Sequence, residues 1–178
     1  KVIGTSLDEK LYLAFQILDY ALLSAPGAPI TKALLEAGIG KDISGSYDSS
    51  TYQPIFSIVA KNANEEQKAE FVKVIEDTLK AIVENGMDKK ALEAGINYHE
   101  FRYREADFGG YPKGLMYGLQ CMDSWLYGGD PMMHLEYQET FDYLKKVVDE
   151  GYFEQLIRDY LLDNPFEAVI TVSPKKNL

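Results

Sequence analysis

The sequence predicts an α+β domain in which a layer of helices covers a small sheet. Three observations carry this reading. Strand character appears at residues 1–4, 53–60 and 168–173, and several helical patterns separate these stretches. That order places helices on a sheet rather than building alternating strand–helix units. Apolar residues make up 46% of the 178 positions, with 13 Tyr, 8 Phe and one Trp. This is enough to pack a core and too much for a disordered chain. Finally, no linker-like shift in composition and no repeat divides the chain, so residues 1–178 read as a single domain.

Each element has its own signal. Lys1-Val2-Ile3-Gly4 resembles the tail of a strand, and a start at Lys1 without Met suggests a piece of a longer protein. Ser6-Leu7-Asp8-Glu9 reads as a capping box. Leu7, Leu11, Ala14, Leu18 and Ala21 follow the helical period, and Leu13, Phe15 and Ile17 make the other faces apolar too. A helix apolar on nearly every face is buried, so this one is central. Pro26-Gly27 breaks it, Pro29 opens a short helix, and Gly38 closes that helix. Residues 40–50 are rich in Gly, Ser and Asp and read as loop or irregular strand.

Gln53–Ala60 is β-branched and aromatic, a strand with Pro54 at its edge, bulge or start. Asn64 caps a long helix ending at Asn85-Gly86, with Phe71, Val74, Ile75, Thr78, Leu79 and Ile82 on one stripe. Asp88 opens another, running to about Phe108, with Leu92, Ile96, His99 and Tyr103 on one face. After Gly109-Gly110-Tyr111-Pro112 comes a helix with Leu115, Met116, Leu119, Met122 and Leu126 apolar. Tyr127–Pro131 is a turn. Helices near 138–150 and 153–162 follow, Asn164-Pro165 stops the second, and Ala168–Ser173 is a final strand.

Composition excludes several functions. With 28 acidic and 18 basic residues the formal charge is −10, the wrong sign for neutralising phosphates or binding an anionic membrane. Cys121 is the sole cysteine, so neither an intrachain disulfide nor a Cys-rich zinc site can form. A lone thiol fits a reducing compartment, the cytoplasm or an organelle matrix, with the cytoplasm favoured. No run of 18 apolar residues is present to span a membrane.

No catalytic motif is complete. His99-Glu100 begins His-Glu-x-x-His, but Tyr103 stands where the second histidine is required. The inverted motif His-x-x-Glu-His fails because Arg102 and Tyr103 occupy its last two positions. His134 lies far off beyond a turn, so His99 reads as a packed or surface histidine and no metal site is expected. Gly38-Ile39-Gly40-Lys41 lacks the first glycine of a phosphate loop and has Asp42 where Ser or Thr is needed.

The charged run Glu100, Arg102, Arg104, Glu105, Asp107 could serve acid–base chemistry, but Glu100 and Arg104 are better read as an ion pair on a solvated face. Cys121 sits in an apolar series and reads as a small buried hydrophobe rather than a nucleophile. Tyr98, Tyr103, Tyr111 and Tyr117 could line a peptide groove or simply pack. The residues alone therefore describe a domain without a self-contained active site.

A longer pattern adds a resemblance. Leu22–Pro29 with Lys32–Gly40, Glu100-Phe101-Arg102 with Arg104-Glu105, Pro112–Leu115, Trp125–Gly128 with Asp130-Pro131, Tyr152-Phe153 with Leu156-Ile157, and Leu162–Pro165 before a segment ending at Pro174 resemble the insulinase/pitrilysin zinc peptidases. More narrowly they resemble the second, non-catalytic domain of the presequence-protease branch.

The resemblance implies a two-layer sandwich of a mostly antiparallel sheet and a layer of helices, here lacking its first strands. It implies four such domains closing as a chamber over an unstructured peptide. Zinc would be bound in another domain and none in this chain. An acidic wall would attract basic presequences. It also implies a substrate exosite at the turn Ser24, Ala25, Pro26, Gly27 and the edge strand near Gly45, Ser46, Tyr47, where a peptide can add by main-chain hydrogen bonds. The same Pro26-Gly27 also reads as a plain helix-ending turn.

The expected partners are the other domains of the same polypeptide and an unstructured peptide. The isolated chain could also self-associate through unpaired sheet edges. The alternative is a scaffold or peptide-binding domain of the same fold in an inactive paralogue or partner subunit. An unrelated enzyme built on the 100–107 run is the third reading.

Overall fold

A computed structural model describes residues 1–174. Helix α1 (Glu9–Asp19) is the centre, as its all-round apolar pattern predicts. Its buried side chains run from Leu11 through Phe15 to Leu18 with only Gln16 interrupting. Phe15 is fully buried among Tyr47, Phe56 and Tyr160, with ring centroids 5.6, 6.0 and 5.7 Å away. Asp8, not Ser6, caps this helix by accepting from the Lys10 and Leu11 amides at 3.0 Å. Ser6 is fully buried and its hydroxyl has no partner among the described residues. The cap thus falls two positions later than the capping-box reading places it, on the carboxylate at the helix mouth.

The chain continues α1 as a π-turn (Tyr20–Ser24), then α2 (Pro29–Glu36) with Pro29 in its first turn. Strands β1 (Asp42–Asp48) and β2 (Ile55–Lys61) pair antiparallel, Tyr47 opposite Phe56 and Gly45 opposite Ile58. Residues 40–50 thus include a full strand rather than a loop. Ile43, Gly45 and Tyr47 of β1 and Phe56, Ile58 and Ala60 of β2 face the helices, and Ile55 and Val59 face outward, 43% and 45% exposed. Val2 adds an antiparallel bridge to Ile55.

A short 3-10 turn (Glu65–Gln67) leads into α3 (Lys68–Asn85), with the Asn64–Gln67 capping box formed. The α3 stripe packs against the core, but only Leu79 is fully covered. Helix α4 (Lys89–Glu105) ends three residues short of Phe108, where Ala106 turns left-handed at φ 48°. Helix α5 (Lys113–Trp125) is followed by α6 (Gln138–Val147), a 3-10 turn (Val148–Glu150), α7 (Tyr152–Leu156) and a second π-turn (Ile157–Leu162).

Two expectations are corrected. Ala168–Ser173 forms no strand ladder among the described residues, and Ile170 and Val172 are 81% and 89% exposed. Just before it, the Phe166 carbonyl accepts from the Val2 amide at 3.1 Å and Asn164 Nδ2 donates to the Val2 carbonyl at 2.6 Å. A strand assignment needs a neighbour, and only the short row Lys1–Ile3 lies there. The second correction is α5. Its stripe of Leu115, Leu119, Met122 and Leu126 points outward, and Ser124 is its one buried residue. Helical spacing gives the stripe but not what lies opposite it.

Candidate functional site

The two parts of the expected exosite come together. The π-turn ends at Ser24, and the Ala25 amide donates back to the Tyr20 carbonyl at 2.8 Å. Thr31 Oγ1 donates to the Leu23 carbonyl at 2.7 Å, tying α2 to the same turn. Ser24, Pro26 and Gly27 are exposed, with Gly27 at φ +76°. Beneath the turn lies β1. A Cβ at Gly45 would overlap Leu23 Cδ1, so the bare backbone is what lets the turn settle on the strand.

The two edges of β1 differ. Lys41 N–H donates to the Lys61 carbonyl, which fixes the odd-numbered residues of β2 as those facing β1. Their partners are Asp42, Ser44, Ser46 and Asp48. By alternation, the N–H and C=O groups of Ile43, Gly45 and Tyr47 point to the outer edge, where no strand pairs among the described residues. Ser46 is exposed, whereas Tyr47 turns its ring onto Phe15 and its buried hydroxyl has no hydrogen-bond partner among the described residues. Burial pushes that phenol well above its ordinary range.

Asp19 joins this site without any signal in the sequence. It is the last residue of α1, and its Oδ1 lies 2.9 Å from where a Gly45 Cβ would stand. That oxygen is buried with no hydrogen-bond partner among the described residues, and burial pushes the carboxyl up to about 6. A single aspartate at a helix end is unremarkable in sequence. Only the crossing of α1 over β1 singles it out.

A separate cavity of about 590 Å³ lies between α1, α4 and α5. Tyr12 OH donates to Asp123 Oδ2 at 2.9 Å, and Gln16 Nε2 donates to Tyr103 OH at 3.2 Å. Of the four tyrosines considered for a groove, Tyr103 and Tyr117 line this cavity. Tyr98 instead stacks on Tyr20 at 5.0 Å, and Tyr111 is 66% exposed. Cys121 is half-buried rather than buried.

The charged run contains the expected pair, Arg104 to Glu100 at 2.6 Å. Arg102, Arg104, Glu105 and Asp107 are exposed as expected, but Glu100 is not. Glu100 is 7% exposed and also pairs with Lys145 of α6 at 2.7 Å. Lys145 first, with Arg104 helping, holds its carboxyl below the usual range.

The residues present do not fit a zinc ion. Among the described residues no three His, Cys, Asp or Glu side chains converge. His99 packs edge-on to Tyr98 at 5.2 Å, and burial, with Arg102 adding, pushes it down to about 4. His134 stacks on Tyr12 at 3.7 Å instead.

Comparison with known proteins adds to this picture. A family profile described as "Peptidase M16 inactive domain" matches residues 2–98. "Protein HypA" of Clostridium perfringens is 47% identical over 177 residues, covering 99% of this chain and 18% of that protein. "Presequence protease 1, chloroplastic/mitochondrial" of Arabidopsis thaliana is 36% identical over 173 residues, 94% of this chain and 16% of its own length. "Presequence protease, mitochondrial" of Schizosaccharomyces pombe is 30% identical, covering 90% and 16%. The chain thus spans less than a fifth of the curated relatives it matches. In three dimensions it resembles the inactive peptidase domain of a Bordetella parapertussis protein provisionally described as a zinc protease. The TM-score is 0.56 at 9% identity, over 88% of this chain and 79% of that one, a likeness of fold alone.

Proposed function

The chain belongs to the peptidase M16 inactive-domain family, and from that premise we propose that it is a non-catalytic, chamber-forming domain of a zinc-dependent metalloendopeptidase that degrades short unstructured peptides. The observation that carries this reading is the pairing of near-complete coverage of this chain with under a fifth of each presequence protease. A domain of a larger peptidase fits that ratio. Zinc would then sit in another domain of the same polypeptide, and residues 1–178 would form one domain of the chamber.

Within that assembly the outer edge of β1, with Ser24, Ala25, Pro26 and Gly27 above Gly45, Ser46 and Tyr47, is the docking edge for the peptide's N-terminal end. Support comes from the outward amides of Gly45 and Tyr47 and from the unpartnered Asp19 carboxyl, an acceptor of the sign an ammonium group needs. The compartment is a reducing one. The relatives named above are mitochondrial or chloroplastic where their names say so, which gives the cytoplasm no preference.

One experiment tests both parts. A long, basic, unstructured peptide is offered to the full-length protein and to this chain, each with zinc and with a chelator. Cleavage by the full-length protein alone, abolished by chelator, is the expected result. Chelator-sensitive cleavage by this chain would overturn it. Shifts of the Gly45 and Tyr47 amides on adding the peptide, weakened by acetylating its N-terminus, are expected at the docking edge.

A second reading keeps one observation in its favour, since the name of the 47% identical relative states no peptidase activity. In it the parent is an inactive paralogue that scaffolds or binds peptides. A parent sequence without His-x-x-Glu-His would select it.

A further inference from the structure

The cavity between α1, α4 and α5 is walled largely by rings. Tyr103 meets Tyr137 edge-on at 5.0 Å, Phe108 meets Tyr117 edge-on at 5.6 Å, and all four line the space. Met116, Leu119 and Leu135 add apolar surface. Its volume of about 590 Å³ lies within the roughly 300–1,000 Å³ of small-ligand sites.

Four charged side chains line the cavity, and three are engaged elsewhere. Arg104 is bound to Glu100, Arg102 lies over the Tyr98 ring at 5.6 Å, and Asp107 Oδ1 accepts from the Gly109 amide at 2.9 Å. Asp123 is the fourth. Its Oδ2 accepts from Tyr12 OH, while its Oδ1 has no hydrogen-bond partner among the described residues. Burial pushes this carboxyl up, a shift that a second donor would reverse. One turn away on α5, Gln120 spends an amide N–H on the His134 carbonyl and leaves its own Oε1 open. The wall therefore sets two open acceptors among aromatic rings.

We propose that this cavity binds a neutral aromatic ring that carries a hydrogen-bond donor, a phenol or an indole, which packs among Phe108, Tyr117 and Tyr137 and donates to Asp123 Oδ1. Rings in such company gain from edge-to-face or offset stacking beyond the area they bury. The donor satisfies an oxygen that is otherwise partly desolvated and unpaired. A neutral group fits better than a cation, because two arginines stand in the same wall as the two aspartates. The floor is set in advance by the Tyr12–Asp123 and Gln16–Tyr103 bonds, which lowers the cost of ordering it on binding. Two sources carry this chemistry, a Tyr or Trp residue of an unstructured peptide and a free small molecule. The site stands apart from the outer edge of β1 and does not rest on the docking or peptidase readings.

Met116 in the wall is the reporter. Its isotope-labelled methyl signal in NMR, identified by its loss in Met116→Leu, is followed in the full-length protein and in this chain. N-acetyl-tyrosinamide is expected to shift it saturably in both. N-acetyl-phenylalaninamide, the same ring without the donor, is expected to bind roughly tenfold more weakly. Asp123→Ala should abolish that preference. Leu119→Trp puts a bulkier ring into the wall from a position that is 53% exposed. It should weaken both probes without lowering the melting temperature, so lost binding is not mistaken for lost fold.

An end-blocked, unstructured peptide with one Tyr separates the sources. Binding at least as tight as that of the amide identifies a peptide residue as the occupant. Binding of the amide but not the peptide identifies a free molecule. Three results would overturn the proposal. Equal affinity for the two amides, or a Tyr preference that survives Asp123→Ala, would remove the donor from the site. An unmoved Met116 signal with every probe would remove the site. A shift in this chain but not in the full-length protein would mean that another part of the polypeptide fills the cavity. None of these outcomes bears on Gly45 and Tyr47, so the docking edge stands or falls separately.

Discussion

Gly45 lies directly under Leu23, so close that any side chain at position 45 would have to displace the leucine. Leu23 is only 5% exposed and has little room to move. Gly45→Ala is expected to cost about 1–3 kcal/mol of stability by overpacking. Leu23→Ala alone costs stability as well, and the double variant should be more stable than the sum of the two predicts. Urea denaturation of the four proteins of the cycle checks this. Simple additivity would mean that the turn and the strand do not touch in solution.

Asp19 makes a pH prediction with a defined sign. Its folded-state carboxyl titrates near 6, above its ordinary 3.8, because it is buried. The folded state therefore holds the proton more tightly, and this group costs stability as pH rises through about 4 to 6. Asp19→Asn should stabilise the domain at pH 7.5 by about 1 kcal/mol after solvent screening and have little effect at pH 3.5. Thermal melts at the two pH values check it.

His99 works in the other direction. Its folded value lies near 4, below the ordinary 6.5, so the unfolded chain binds the proton more readily. Stability from this group is full above about 6.5 and is lost as pH falls toward 4. A His99→Gln variant should flatten that part of the profile, and proton NMR should show the imidazole neutral at pH 6.

Glu100 links α4 to α6 through Lys145, and its depressed carboxyl places that contribution above the ordinary glutamate range. Glu100→Gln should cost about 1–2 kcal/mol at pH 7, the modest size reflecting partners that are partly solvated. The difference between the two proteins should shrink as pH falls below about 4. Paired denaturation curves at pH 7 and pH 3 measure it.

Surface and core leucines should part company. Leu119→Ser on α5 is expected to change stability by no more than about 0.5 kcal/mol, because the side chain is 53% exposed. Leu18→Ala in α1 should cost about 2–5 kcal/mol. A large loss from Leu119→Ser would show that α5 packs more tightly than its exposure implies.

What could be read from the sequence follows the range of the forces involved. The burial of α1, the Asn64 cap, the Pro29 start and the Arg104–Glu100 pair depend on neighbours within a turn or two, so their spacing announces them. Lys145, Leu23 and Asp19 are positioned by residues far away in sequence, and no local pattern marks them. The 168–173 segment shows the limit well. Its β-branched composition suits a strand, but pairing belongs to whatever lies alongside. The α5 stripe shows the same limit for helices, since periodicity gives a phase and not a partner. For the proposed docking edge, family resemblance gave the positions, and the structure adds that the β1 amides of Gly45 and Tyr47 point to an edge with no strand paired to it among the described residues.

Helix α5 hangs between Gly109-Gly110 on one side and Gly128-Gly129 on the other, held by Tyr12 to Asp123, Gln120 to the His134 carbonyl and Ser124 to the Asp130 carbonyl. So few ties make it the segment that opens first while α1 and its surroundings stay folded. A brief trypsin or chymotrypsin digest should therefore nick the 109–129 region early, at Tyr111, Lys113 or Trp125, and leave two pieces that still travel together through a sizing column.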